Sequence, residues 1–317
     1  MHAVTIADGA VEWREHPDPV PGLGELLVAV RAAGLNGADM MQRRGLYPAP
    51  PGVPADIPGL ELAGEVVSTG GGVTRFAPGD RVMAVVAGGG QAELAVVHER
   101  HALAVPHGVP WPEAGGFPEV FTTAHDALFT QCGLVLGDRV LVHGAAGGVG
   151  IAGVQLAARC GARVVATVRN VELRAAVTEI GASCGSVEVI ATDGFVDHGP
   201  FDVILELVGA PNLPDDVAAL ATGGRIAVIG VGGGAGAELN LLALMGKRGR
   251  IHGSTLRARS LEEKATAARA VEHTVLPLLD RGQVKVPVAA EIPMAEAESA
   301  YERFAAGGKL GKIVLIA

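Results

Sequence analysis

Aromatic residues are scarce: 7 Phe, 2 Trp and 2 Tyr make up 3% of 317 residues, and the formal net charge is -9. An acidic chain with so few rings offers neither a phosphate-binding surface nor a base-stacking platform, so no nucleic-acid partner is expected. Cysteine is rarer still. Cys132, Cys160 and Cys184 are far apart and none lies in a C-x-x-C, which argues against a disulfide framework or a Cys-rich zinc lobe; they read as small buried hydrophobes. Long apolar runs are also missing. The most apolar stretches, such as Gly144 to Val154, are glycine-rich and short of a membrane span. The opening Met1-His2-Ala3-Val4 puts no basic segment before an apolar run, so no signal peptide is expected and the reading is a cytoplasmic protein in a reducing compartment.

Apolar side chains are plentiful at 49%, enough for substantial cores, and the length suggests two domains at about 150 residues each. Glycine is the outlier, with 46 residues, twice the usual ~7%. The glycines have no collagen period and cluster between apolar segments, where backbone turns tightly or approaches a ligand.

Up to about residue 115 the chain reads as short strands, Glu25 to Val30, Gly64 to Ser68, Arg81 to Val86 and Ala92 to Val97, joined by Gly/Pro turns. Tyr47-Pro48-Ala49-Pro50-Pro51-Gly52 can be neither helix nor central strand. From about residue 116 strands alternate with helices. Val140 to His143, Arg163 to Val168, Phe201 to Leu205 and Gly224 to Ile229 are buried strands; Ile151 to Arg159 and Val171 to Ile180 are helices. That alternation predicts an α/β domain with a doubly wound parallel sheet. Ser260-Leu261-Glu262-Glu263 is a capping box opening a helix toward Leu279, and Gly311 to Ile316 is a strand expected to return to the first domain. The expected division is 1–115 with 285–317, and 116–284.

Ala145-Ala146-Gly147-Gly148-Val149-Gly150 is G-x-G-x-x-G with Ala145 in the first glycine place. It follows a strand, opens a helix and sits in a βαβ unit, the context that gives this otherwise weak pattern meaning. Gly147 would let the backbone reach a pyrophosphate, Gly150 would let helix and strand pack closely, and the helix N-terminus would supply free N–H groups to the anion. NAD-binding folds carry Asp or Glu at the end of the next strand, to hold the ribose 2′-hydroxyl. Here Thr167-Val168-Arg169-Asn170 has no acid and one cation, which favours NADPH, since Arg can pair with a 2′-phosphate. His143 reads as a hydrogen-bonded residue at a strand end.

With these residues, the chain resembles the medium-chain dehydrogenase/reductase superfamily, and within it the zinc-independent quinone oxidoreductases. Besides the phosphate turn, the resemblance rests on Leu35-Asn36-Gly37-Ala38-Asp39, Gln42-Arg43-Arg44-Gly45-Leu46-Tyr47, Pro58-Gly59-Leu60-Glu61, Pro118-Glu119-Val120-Phe121-Thr122-Thr123-Ala124 and Gly311-Lys312-Ile313-Val314-Leu315, and it covers nearly the whole chain. It implies a Rossmann cofactor domain, a β-rich GroES-like catalytic domain and a homodimer. Zinc dehydrogenases of this superfamily hold the metal with a Cys, the His of a Gly-His-Glu triplet, and a Cys or Asp. Those places are Asn36, Leu60 and Glu119 here. One carboxylate cannot make the usual three-ligand site, so no metal is expected.

Without a Lewis acid the acceptor must itself be electron-poor and able to delocalise charge, as quinones and α,β-unsaturated carbonyls are. The resemblance implies that Asn36 and Tyr47 line the cleft beside the nicotinamide as catalytic candidates. It assigns cofactor contacts to Thr123, Ala145, Ala146, Gly147, Gly148, Val149, Gly150, Arg169, Asn170, Gly230, Ser254, Leu256 and Lys312. The leading expectation is an NADPH-dependent quinone oxidoreductase with a small-molecule substrate. An enone or enoyl reductase, and a non-catalytic NADPH-binding protein, are the alternatives.

Overall fold

The structure is a computed structural model that describes residues 1–317. The chain divides into two compact units: Met1–Thr122 with Leu256–Gly307 and Lys312–Ala317, and Thr123–Thr255 with Gly308–Gly311.

The first unit opens on an antiparallel hairpin, β1 (His2–Ala7) and β2 (Ala10–Glu15). The strand reading passes over this pair, although Asp8-Gly9, both at positive φ, is a strong hairpin signal. Strands β3 (Glu25–Gly34), β4 (Glu61–Thr69), β5 (Arg81–Val85), β6 (Leu94–His98) and β7 (Ala102–Ala104) follow. β3 is longer than expected and alternates buried with half-buried side chains as far as the exposed Arg31, beyond which it is fully buried. Helix α1 (Gly37–Arg43) follows it. Gly59, ahead of β4, has φ +106°, and a Cβ there would come within 2.5 Å of the Gln91 amide nitrogen. Helices α2 (Trp111–Gly115) and α3 (Pro118–His125) end this part, and α3 continues into one π-helical turn, Asp126–Gln131.

The second unit is built on six parallel strands: β8 (Arg139–Val142), β9 (Arg163–Thr167), β10 (Val187–Ile190), β11 (Phe201–Glu206), β12 (Leu220–Val228) and β13 (Arg250–Gly253). Their order is β10-β9-β8-β11-β12-β13. Helices α4 (Gly148–Arg159), α5 (Val171–Ala182), α6 (Leu213–Ala219) and α7 (Leu241–Lys247) connect them. This is the doubly wound arrangement expected. The order reverses between β8 and β11, where such sheets bind ligands beyond the strands' carboxyl ends. Leu141, Val165, Phe201, Ile204, Val217 and Ile226 form its core.

The chain then returns to the first unit. Helix α8 (Leu261–Thr274) starts at the expected capping box, with Ser260 and Glu263 bonded reciprocally. It stops before Pro277, and α9 (Leu276–Asp280) covers the rest of the helix expected to reach Leu279. Both were expected with the cofactor domain. They belong to the first unit, where α8 buries Ala265, Ala268 and Val271, α9 buries Leu279, and Arg269 of α8 donates to the Ala102 carbonyl (2.8 Å). Strand β14 (Val288–Pro293), helix α10 (Ala297–Ala306) and strand β15 (Lys312–Ile316) finish the chain. β15 pairs with β3 and completes a sheet of order β14-β15-β3-β4-β5-β7, with β6 beside β3. Tyr301 of α10, fully buried, donates to Gln91 Oε1 (3.0 Å) beneath it.

Candidate functional site

In the first unit, the ends of β3, β4 and β15 bring three family-marked segments together. Lys312, at the start of β15, donates to the carbonyl of Leu35 (2.8 Å), to Asn36 Oδ1 (2.6 Å) and to Glu61 Oε1 (2.6 Å). The Asn36 amide donates to the Gly34 carbonyl (3.2 Å) and to Glu61 Oε1 (2.9 Å). Glu61 Oε2 accepts from the backbone N–H of Glu119 (2.9 Å), which fixes the start of α3. The close approach of Glu61 requires Gly34: a Cβ there would sit 2.2 Å from its Oε1. Asp39, fully buried in α1, accepts from Asn36 N (2.8 Å) and Gly59 N (3.1 Å), which ties α1 to the turn before β4.

Burial lifts the Asp39 carboxyl to about 6, against its two backbone donors and Lys312. Burial and the neighbouring Glu61 push Glu119 up to about 8, against Lys312 and Arg257. Desolvation is the leading cause in both.

The sequence reading gives Arg257 no role, and its place in the structure is the largest departure from that reading. It is buried and donates to the carbonyls of Ala87 and Tyr47 and to Gln42 Oε1, each at 2.7 Å. Its guanidinium also lies 5.1 Å from the centre of the Tyr47 ring. Tyr47 is half-buried, and Arg257 sets the course of the Pro-rich stretch behind it. No sequence signal marks this: the three partners lie 170, 210 and 215 residues away.

In the second unit, the turn after β8 runs through Gly144 at φ +61° into α4, whose N-cap is Gly147. No side chain caps that helix, and Ala146, Gly147, Gly148 and Val149 keep accessible surface. Gly150 must be glycine, because a Cβ would lie 2.5 Å from the Gly144 carbonyl oxygen. Uncapped first-turn N–H groups and a side-chain-free approach fit a dinucleotide pyrophosphate. Ala145 is buried and donates from its backbone to Thr167; the Ala146 carbonyl accepts from Gly311 N (2.8 Å).

Beyond β9, Arg169 is exposed and has no side-chain partner, while Asn170 caps α5 by accepting from Glu172 N (3.0 Å). Arg174 is occupied with the Val168 carbonyl (3.0 Å). Gly230 donates its N–H to the Glu206 carbonyl (3.2 Å), Thr123 is buried in α3, and Ser254 donates to Asp126 Oδ2 (3.2 Å). Leu256 and Lys312, assigned to the cofactor with these residues, belong to the first unit and are buried there.

His143 bonds Thr167 Oγ1 through Nδ1 (3.1 Å) and Asp216 Oδ1 through Nε2 (2.9 Å). Glu206 lies 3.7 Å from the same Nε2 and accepts from Gly209 N (2.7 Å) and Asn212 Nδ2 (3.0 Å). The ligand-type atoms of His143, Glu206 and Asp216 lie within 4.8 Å of one another, the one such group in the chain. Burial lowers the imidazole and lifts Asp216 to about 7. As foreseen for His143 at a strand end, both of its ring nitrogens are hydrogen-bonded, while Asp216 Oδ2 is buried without a hydrogen-bond partner.

Residues 22–130 match the alcohol dehydrogenase GroES-like domain and residues 186–315 match the zinc-binding dehydrogenase family. The rat (Rattus norvegicus) quinone oxidoreductase is 32% identical over 307 residues, covering 94% of this chain and 91% of the relative. The chain belongs to the medium-chain dehydrogenase/reductases, in their quinone oxidoreductase family. A mycobacterial member of the same fold, solved in complex with NADPH, superposes with a TM-score of 0.86 at 27% identity over 100% of both chains. A 211-residue stretch, 65% of this chain, is 36% identical to 4% of the polyketide synthase GfsB of Streptomyces halstedii.

Three raised acids give this family member an unusual pH response. Asp39 (about 6), Asp216 (about 7) and Glu119 (about 8) hold protons in the folded state that the unfolded chain has released. Between their unfolded and folded values the native state binds more protons, so stability falls as pH rises. Below about pH 6.5 the half-buried His101 and the buried His125 and His143, whose imidazoles are lowered, act in the opposite direction, so urea unfolding at a series of pH values should show the decline between about pH 6.5 and about pH 8, with Glu119→Gln flattening its upper part.

Proposed function

We propose that this chain is an NADPH-dependent quinone oxidoreductase that transfers hydride to an electron-poor acceptor without zinc. The reading is carried by the closed network of Asn36, Glu61 and Lys312. Asn36 of that network and Leu60, both buried, stand at two of the three places that the motif resemblance assigns to zinc ligands, and neither is a usual zinc ligand. When bound, the reduced nicotinamide supplies the hydride. The chain's own part is to hold the pyrophosphate at Gly147–Gly150, to meet the 2′-phosphate with Arg169, and to position the acceptor. Tyr47 does the last with its ring and hydroxyl. Both hydrogens of the Asn36 amide are engaged, so Asn36 serves as a positioning residue.

Enone or enoyl reduction is the second reading, favoured by the stretch resembling a polyketide synthase and by the protonated acid at Glu119. A panel of quinones and enones with NADPH and NADH separates the two, and dialysis against chelator tests the metal. Quinone turnover that survives chelation, in protein with well under one zinc per chain, is the expected result. Stoichiometric zinc and loss of activity would overturn it.

Losing one charge-assisted hydrogen bond costs roughly 1.5–3 kcal/mol. Arg169→Ala should therefore weaken NADPH binding about tenfold or more by fluorescence titration and leave NADH nearly unchanged. Equal losses for both cofactors would refute the 2′-phosphate assignment.

A neutral hydrogen bond is worth about 0.5–1.5 kcal/mol. Tyr47→Phe should slow quinone turnover by a few- to tenfold, and Tyr47→Ala should chiefly raise KM through the lost packing surface. A thousandfold loss of kcat in Tyr47→Phe would instead make the phenol an obligate proton donor.

We further propose a homodimer through the β13 edge of the parallel sheet. The neighbouring helix α7 leaves Leu241, Leu242 and Met245 exposed by 64%, 78% and 69%, an apolar face beside an unpaired strand edge. Sedimentation should read twice the 32.1 kDa chain mass, and Leu242→Glu should return it to the monomer. A wild-type monomer at micromolar concentration would rule the pairing out.

A further inference from the structure

In the second unit, the carboxyl ends of β8 and β11 and the helix α6 enclose more negative charge than the protein offsets. Glu206 and Asp216 are fully buried, and the one ion-pair partner of both is His143, itself buried. No Lys or Arg pairs with either carboxyl, and Asp215, exposed beside them on α6, adds a further negative charge. Buried charges need a partner or a coordinated ion. Glu206 is cradled by the N–H groups of Val208 and Gly209 and by Asn212 Nδ2 (3.0 Å). The imidazole is set by Thr167 Oγ1 at Nδ1 (3.1 Å) and by the Phe195 ring, which meets it edge-on with centres 4.6 Å apart. With Nδ1–H donating to Thr167, Nε2 turns a lone pair toward Asp216 Oδ1 (2.9 Å) and Glu206 Oε2 (3.7 Å). Three acceptors then face one another with no proton between them. The other tautomer serves Asp216 Oδ1 but still leaves Oδ2 buried and without a hydrogen-bond partner.

We propose that His143, Asp216 and Glu206 form a binding site for a single first-row divalent cation, which ties the strand before the phosphate turn to β11 and α6. Their ligand-type atoms lie within 4.8 Å of one another. The two separations from Nε2, 2.9 and 3.7 Å, approach the edges of ~2.8–3.6 Å of a coordination shell with arms of ~2.0–2.2 Å. Asp216 Oδ2 supplies a fourth donor when that carboxylate binds through both oxygens. One imidazole with two carboxylates and no thiolate suits Mn2+ or a similar borderline ion. Thr167 at the far nitrogen of the imidazole, and the cradle of donors around Glu206, are the outer groups that hold such ligands in orientation. None of the three residues is among Asn36, Leu60 and Glu119, the places that the motif resemblance assigns to a catalytic zinc. The site therefore serves the architecture of the second unit and not the hydride step.

The test uses the full chain, dialysed against chelator and then against plain buffer. Mn2+ is the probe, because the electron spin resonance signal of the free ion is lost on binding. Wild type should take up one Mn2+ per chain, and its melting temperature should climb as Mn2+ is raised, since a ligand held by the native state alone stabilises it. Asp216→Asn keeps the shape of the side chain and removes one ligand charge; it should bind Mn2+ at least tenfold more weakly. Thr167→Val leaves all three ligands in place and removes only the partner that orients the imidazole. It should weaken Mn2+ about ten- to hundredfold. If Asp216→Asn does not fold, Thr167→Val decides. A wild-type chain that takes up no Mn2+ would overturn the proposal and leave a proton-sharing cluster in its place. Equal uptake by wild type and both variants would put the ion elsewhere and overturn it too. None of these measurements reads turnover, so their failure leaves the oxidoreductase reading untouched.

Discussion

The contact between Lys312 and Glu61 is the constraint on which the first unit turns. Both side chains are almost wholly buried, at 2% and 0% exposed, and their atoms are 2.6 Å apart. Removing one partner of such a pair leaves a buried charge uncompensated and costs about 3–5 kcal/mol. The pair does more than pin β15 to β4. Through its two oxygens Glu61 also sets the Asn36 amide and the first N–H of α3, and through its three donors Lys312 sets the turn after β3. Four pieces of chain thereby share one electrostatic centre, and the acid in α3 is held where that centre cannot neutralise it.

Arg257 shows the complementary economy. A buried guanidinium bound only to two carbonyls and an amide is not paired with any carboxylate, yet it lies near enough to Asp39 for that carboxylate to favour its charge. It fastens the Pro-rich stretch that carries Tyr47, where proline leaves few backbone donors for self-support. Fixed carbonyl acceptors and a delocalised cation do the work that regular secondary structure does elsewhere.

How much of this can be read from residues alone depends on sequence distance. The phosphate turn is legible because strand, turn and helix are contiguous, and Gly150 is required by a neighbour only six residues away. The parallel sheet is legible for the same reason, since buried strands with apolar faces announce themselves locally. The start of α8 is legible in Ser260 and Glu263, although its end at Thr274 yields to Pro277. Asn36, Lys312 and Glu119 stand out only through family motifs, and those motifs do not reveal that Glu61 binds all three. Nothing local marks Arg257 or the pairing of His143 with Asp216, 73 residues on. Where partners are that distant, side-chain type says only that a buried polar group must find one.

The return of β15 to β3 also bears on how the chain is made. Residues 1–122 emerge first, yet β3 finds one of its neighbours, and Glu61 its only cation, at residues 312–316. Until residues 312–316 are made, the early sheet therefore carries an open strand edge and an unneutralised acid. The second unit, contiguous over Thr123–Thr255 but for four residues, lacks only Gly308–Gly311, one of which bonds the Ala146 carbonyl. Domains generally fold as units as they leave the ribosome, and exposed edges invite aggregation. The cofactor-type unit is thus the one equipped to fold during translation, and the acceptor-type unit must wait for its last strand.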